Sequence, residues 1–109
     1  MDIQYKSEDK LLLISLTEEI DHHTTEKIRR KVDYEIERYL PKKVIFDFNS
    51  VSFMDSAGIG MLIGRYKLVN MLGGDLNLTN VKTSVAKILN MCGVLKIIPI
   101  CENPVDKGA

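Results

Sequence analysis

The sequence predicts one α/β domain over residues 1–109, with a mixed, mostly parallel sheet, an antiparallel hairpin at its N-terminal edge and the element order β-β-α-β-α-β-α-β. Short β-branched or leucine-rich runs alternate with longer stretches whose apolar residues recur at helical spacing, the pattern of strands interleaved with helices. The first two runs are separated only by Ser7-Glu8-Asp9-Lys10, a connection short enough to demand an antiparallel pair. No linker, repeat or low-complexity segment divides the chain, and 109 residues suit a single core.

Ile3–Lys6 and Lys10–Leu16 form the hairpin strands, and residues 17–21 a loop. A helix follows from about Thr24 to Leu40, with Ile28, Val32, Ile36, Tyr39 and Leu40 on its apolar stripe; Pro41 ends it. Lys43–Phe48 carries Val44-Ile45-Phe46, a run suited to a strand covered on both faces. Ser56–Leu72 is the second helix, with Ile59, Leu62, Ile63, Tyr66 and Val69 inward and Gly73-Gly74 closing it. Leu76 and Leu78 mark a fourth strand. Thr83–Cys92 is a third helix with Val85, Ile88 and Leu89 inward, ended by Gly93. Lys96–Ile100 is a last strand, closed by a turn around Pro99 and Pro104. Strands joined through helices lie parallel with right-handed crossovers. The chain is short for two helical layers, so one face of the sheet should be well covered and the other sparsely.

Hydrophobic residues at 45% and charged residues at 28% are ordinary for a globular chain. Lys plus Arg and Asp plus Glu each number 15, so the net charge is zero and neither nucleic acid nor a membrane surface is an expected partner. The most basic run, Lys27 with Arg29, Arg30 and Lys31, is interrupted or followed by Glu26, Asp33, Glu35 and Glu37 and reads as a solvated helix face. Cys92 and Cys101 form no CxxC pattern and read as buried or half-buried thiols in a reducing cytoplasm. Asp2, Lys6, Glu8 and Asp9 break up any N-terminal apolar run, and no stretch approaches ~20 apolar residues, so a cytoplasmic location is the expectation.

The segment Phe53-Met54-Asp55-Ser56-Ala57-Gly58-Ile59-Gly60 joins the third strand to the second helix and sets Ser56 at the helix N-terminus. Backbone N–H groups there lack helical partners and the helix dipole is positive, so a phosphate on Ser56 would be accommodated. A plain N-cap serine is the simpler reading. Two features favour more than a cap. Gly58 and Gly60 each cost about 1 kcal/mol against alanine in a helix, which suggests close approach to the backbone. Phe53 and Met54 would supply apolar contact if exposed. The spacing Gly58-x-Gly60-x-x-x-Gly64 only partly matches a dinucleotide fingerprint.

Asp21-His22-His23 is a second constellation. Asp21 can cap the first helix. Alternatively, Asp21 and the two histidines rim Ser56, because the loops after the second and third strands leave the same edge of the sheet, where open α/β sheets bind ligands and partners. His22 and Glu26 have usable spacing for a metal, but no further ligand is evident. Ser56, a histidine and Asp21 or Asp55 contain the residue types of a hydrolytic triad, yet the nucleophile-elbow pattern is absent, since Met54 stands at its first glycine. A receiver-type phosphoacceptor, with Glu18-Glu19 as acid pair, fails on Asp47, which lies inside its strand. No enzymatic activity and no cofactor are expected.

Taken together, residues Leu16–Thr24, Phe53–Gly60, Gly64-Arg65-Tyr66-Lys67 and Met91–Ile98 resemble the anti-sigma factor antagonists of the STAS domain family, over about Tyr5 to Ile100. The resemblance implies a STAS-type fold and a protein that switches partners. In its unphosphorylated form it binds an anti-sigma factor serine kinase and releases a sporulation sigma factor. Phosphorylation of the serine matching Ser56 inactivates it, and a serine phosphatase reverses this. Asp21, His22, His23, Phe53, Met54, Asp55, Ser56, Gly58, Ile59 and Gly60 are then the expected partner-binding residues. A STAS-like module sensing a small ligand or nucleotide is the alternative. Three departures stand out. Glu18 occupies a position where the family often has glycine. Ala57 replaces a frequent second serine, which leaves Ser56 the one hydroxyl of the motif. The stretch 104–109 is too short for the family's last helix.

Overall fold

A computed structural model describes residues 1–102. The elements are β1 (Asp2–Lys6), β2 (Leu11–Ser15), α1 (Thr25–Tyr39), β3 (Lys43–Asp47), α2 (Ser56–Met71), β4 (Asp75–Thr79) and α3 (Thr83–Met91), followed by a 3-10 turn at Val94–Lys96. The sheet order is β1-β2-β3-β4. β1 pairs antiparallel with β2 through Ile3–Ile14 and Tyr5–Leu12. β2 with β3, and β3 with β4, are parallel, with Leu13 opposite Ile45 and Ile45 opposite Asn77. The mixed sheet with an edge hairpin is therefore the predicted one.

Strand alternation sorts the side chains into two unequal sets. Leu12, Ile14, Val44, Phe46, Leu76 and Leu78 join Ile28, Val32 and Ile36 of α1, Leu62 and Val69 of α2, and Val85 and Leu89 of α3 in one core. Leu11, Leu13 and Ile45 make a small cluster on the other face, where the half-buried Cys101 packs; Cys92, expected to be at least half-buried, is exposed at the C-cap of α3. The helices thus layer one face, as the chain's length implies.

Two helical stripes differ from expectation. Leu40 is 59% exposed rather than inward, because it caps α1 in the left-handed conformation (φ 48°), its N–H bonding Ile36 O at 2.8 Å. On α2 the buried face is Gly58, Met61, Leu62, Arg65 and Val69, with Ile59, Ile63 and Tyr66 only partly covered. The stripe is rotated because α2 also packs against α1, where Arg65 Nε lies 2.7 Å from Asp33 Oδ1.

The expected last strand at Lys96–Ile100 is a correction. The chain makes the 3-10 turn instead, and strand character survives in one parallel bridge, Leu78 with Ile100. Leu78 N–H donates to Pro99 O at 3.0 Å and Cys101 N–H to Leu78 O at 2.7 Å. The cause lies in the apolar spacing. Val94 and Ile98 bury together at helical separation, with Ile98 N–H on Val94 O at 2.8 Å, and Pro99 has no N–H for a ladder. Pro104 and the expected absence of a last helix fall outside the described residues.

Candidate functional site

The loops that leave β2 and β3 run side by side at the end of the sheet. Leu16 N–H bonds Asp47 O at 3.1 Å, and the two chains meet again in a parallel bridge between Ile20 and Met54. There Ile20 N–H donates to Phe53 O at 3.5 Å and Asp55 N–H to Ile20 O at 3.3 Å. Both side chains of the bridge are in the core, Ile20 at 0% and Met54 at 2% exposure. The bridge brings residues 19–23 against residues 52–56, so the expected neighbourhood of the two loops is present.

Asp55, not Ser56, is the N-cap of α2; Ser56 is the first helical residue. The Asp55 backbone is extended, and its Oδ1 accepts the Gly58 N–H at 3.1 Å. Its Oδ2 accepts the His22 N–H at 3.1 Å and lies 3.4 Å from His22 Nδ1. One carboxylate thus caps the helix and ties it to the neighbouring loop. A carboxylate is the stronger acceptor for these N–H groups and also answers the helix dipole, which is why it takes the cap ahead of the serine hydroxyl. Of the helix-end donors expected to receive a phosphate on Ser56, the Gly58 N–H is therefore already engaged with an anion. The same bond takes the Gly58 N–H, one of the donors that a phosphate at a dinucleotide fingerprint would use.

Ser56 is exposed, as are His22, His23, Phe53 and Gly60. Phe53 is 52% exposed. The two imidazole rings stack with centroids 3.9 Å apart, tilted by 40°. Asp21 is half-buried and serves the turn before α1: its Oδ1 accepts the His23 N–H at 2.8 Å and the Thr24 N–H at 3.2 Å. The sequence offered Asp21 as the cap of α1; the N-cap is Thr24, and Asp21 instead closes the turn three residues before it. Two expected contact residues are turned inward. Met54 belongs to the core and offers no exposed apolar surface, because its register with Ile20 points it under the helices. Gly58 is buried; a Cβ there would come within 2.8 Å of Ile20 Cγ2 and Ile20 O, so its glycine serves packing. Gly60 has nothing within 4 Å of a built Cβ and faces open space. Ile59 is half-buried against the core.

The alternative chemistries find little support in the geometry. Among the described residues no group of three or more His, Cys, Asp or Glu side chains could hold a metal. Glu26 pairs with Arg29 and Arg30 instead of His22. Asp47 Oδ1 accepts the Asn49 N–H at 2.9 Å and Asn80 Nδ2 at 3.1 Å, a turn-forming role. A cleft of about 230 Å³ opens beside Ser56 between α1 and α2, lined by Thr25, Arg29, Ala57, Gly60 and Arg65 among others. That is smaller than the few hundred to about 1,000 Å³ of ordinary ligand pockets. No described helix is long and apolar enough to cross a membrane.

Sequence reading missed Glu19 as part of this site. Its Oε1 accepts the Ser52 hydroxyl at 2.8 Å, both oxygens lie within 3.3 Å of the Ser52 N, and Oε2 accepts the Phe53 N–H. The partners lie 33 and 34 residues away, so no local pattern marks them. Two carboxyls of the site titrate below their ordinary range. Desolvation pushes Glu19 up, but the Ser52 hydroxyl, the Ser52 and Phe53 N–H groups and the charge of Lys82 outweigh it. Desolvation likewise opposes the shift at Asp55, where the Gly58, His22 and Ala57 N–H groups and the His22 ring prevail. Because the folded values are depressed, the contribution of each carboxylate is present above its unfolded pKa and is lost as pH falls through the folded one. In an acid titration followed by amide NMR, the Ser52 and Phe53 signals should move with a midpoint below 4.5 and those of His22 and Gly58 with one below 3.8. Midpoints at or above those values would contradict the assigned hydrogen bonds.

Residues 2–106 match the STAS domain family. The chain is 35% identical over 106 residues to an anti-sigma F factor antagonist of Paenibacillus polymyxa, covering 97% of this chain and 91% of the relative. It is 26% identical over 100 residues to an anti-sigma-B factor antagonist of Bacillus subtilis, covering 92% and 90%. Among solved structures it is similar to the anti-sigma factor antagonist SpoIIAA in its unphosphorylated form, with a TM-score of 0.79, 27% identity, and 98% of this chain and 92% of that one covered. It is also similar to the Bacillus cell fate determinant SpoIIAA in the phosphorylated form, with a TM-score of 0.71, 26% identity, and 98% and 96% coverage.

Proposed function

The chain belongs to the STAS domain family, and from that premise we propose that it is an anti-sigma factor antagonist switched by phosphorylation of Ser56. The observation that carries the reading is the exposed Ser56 at the first position of α2, beside the Asp55 carboxylate and within one loop of the exposed Phe53. The relatives named as anti-sigma factor antagonists, and a similar structure described as phosphorylated, support it.

In this reading the unphosphorylated chain binds an anti-sigma factor that is also a serine kinase, and a sporulation sigma factor is released. Phe53 supplies apolar contact, with His22, His23 and Asp21 framing Ser56. The kinase, using ATP and magnesium, transfers a phosphoryl group. The Ser56 oxygen bonds to the γ-phosphorus, the bond from that phosphorus to the bridging oxygen of ADP breaks, and the hydroxyl proton leaves to a base of the kinase. A phosphatase returns the serine by hydrolysis. The chain is substrate and ligand in this cycle, not catalyst, and its dependence on ATP places the exchange in the cytoplasm.

Phosphorylation adds about −1.5 to −2 units of charge. The new dianion meets the ionised Asp55 carboxylate, which already holds the Gly58 and His22 N–H groups. It therefore faces outward, against the partner, where desolvation and repulsion weaken binding. The experiment is to incubate the chain with its kinase and ATP and map the modified residue by mass spectrometry. One phosphoryl group on Ser56 is the expected result; a label on another residue would refute the assignment. A rise in Tm with ATP or GTP alone, without kinase, would favour the ligand-sensing alternative.

A further inference from the structure

We propose that Glu19 is a positioning residue for partner recognition: its carboxylate fixes the attitude in which Phe53 is offered to the kinase. The inference rests on the partner-binding reading of Ser56 and extends it to a residue one loop away. Ser52 and Phe53 lie outside regular structure, between the Val51 N–H bond to Phe48 O at 2.9 Å and the bridge at Met54. Their two successive N–H groups both point at Glu19, and the Ser52 hydroxyl joins them. Beyond these, Phe53 keeps one backbone bond, the 3.5 Å contact of its O with Ile20 N–H.

The choice of glutamate follows from this arrangement. A carboxylate has two oxygens and only accepts, so it serves three donors at once. Glutamine would turn an NH2 group toward one of those N–H groups. The Ser52 and Phe53 residues are exposed, so their N–H groups turn to water when Glu19 is removed, and the core is untouched. What is lost is order in the segment that carries an exposed aromatic ring. Ordering that segment on binding would then weaken the complex, whereas the bonded loop is already arranged.

The test measures binding of the kinase by the full chain for the wild type, Glu19→Ala, Glu19→Gln, Phe53→Ala and the Glu19→Ala, Phe53→Ala double variant. Both Glu19 variants should bind about tenfold more weakly, while Tm falls by no more than a few degrees for the lost carboxylate bonds. Amide exchange at Ser52 and Phe53 should accelerate at least about tenfold in Glu19→Ala, while β3 amides stay protected. In the Phe53→Ala background, adding Glu19→Ala should change affinity by less than about twofold, because the ring it positions is gone. A full loss in that background, wild-type affinity in both Glu19 variants, or a loss that tracks a lowered Tm would each overturn the proposal. If the wild-type chain does not bind the kinase at all, the partner-binding reading fails instead, so the two failures are distinguishable.

Discussion

Ser56→Ala is expected to bind the kinase as tightly as the wild type and to stay bound when ATP is added, while Ser56→Asp binds at least tenfold more weakly, a difference of about 1.4 kcal/mol. The alanine variant removes the phosphoacceptor from an exposed first helical position whose cap belongs to Asp55. Nothing structural depends on the lost hydroxyl, and alanine is the best helix former. The aspartate variant sets a second carboxylate beside Asp55, which already holds the Gly58 and His22 N–H groups. It carries one charge where a phosphate carries nearly two, so its effect should be smaller than that of true phosphorylation. The measurement is calorimetric titration of the kinase with each variant, before and after ATP. Wild-type affinity in Ser56→Asp would undermine the electrostatic account, and continued labelling of Ser56→Ala would remove Ser56 from the switch.

The second large effect is a contrast between neighbouring glycines. Gly58→Ala is expected to destabilise the domain by about 1–3 kcal/mol through overpacking. The new methyl would stand 2.8 Å from both Ile20 Cγ2 and Ile20 O and 3.0 Å from Met54 Cγ. The oxygen cannot withdraw freely, because it accepts the Asp55 N–H that sets up the cap of α2. Relief must therefore spread the two loops apart. Gly60→Ala has no neighbour to meet and should stabilise α2 by up to about 1 kcal/mol. For a domain near this size each kcal/mol moves Tm by roughly 4–8 °C. Thermal unfolding of the two variants should shift Tm in opposite directions. A stabilised Gly58→Ala would mean that the loops are not locked together as described.

These contrasts also show what the sequence could and could not reveal. Strand alternation and helical spacing sufficed for the four strands of the sheet and for the existence of α1, α2 and α3, since both patterns are local. The motif around Ser56 was visible because strand, cap and helix follow one another along the chain. The distinction between Gly58 and Gly60 was not, since it depends on Ile20, which arrives from another loop. The same holds for Met54, whose inward direction is set by its bridge to Ile20, and for Glu19, whose donors lie 33 and 34 residues on. Ser and Asp are both favoured caps, and the His22 N–H that adds to Asp55's advantage is supplied across the loops, where no local pattern marks it. The last strand failed for a different reason. Lys96–Ile100 suits a strand in composition, but burial from Val94 to Ile98 follows a helical period.

The most direct test is to prepare the full chain in unphosphorylated form and singly phosphorylated on Ser56, and to titrate each against the kinase under identical salt. The unphosphorylated chain should bind at least about tenfold more tightly, with amide spectra of the two forms differing only around residues 20–23 and 52–60. Equal affinity of the two forms would contradict the switch, whatever the modified residue.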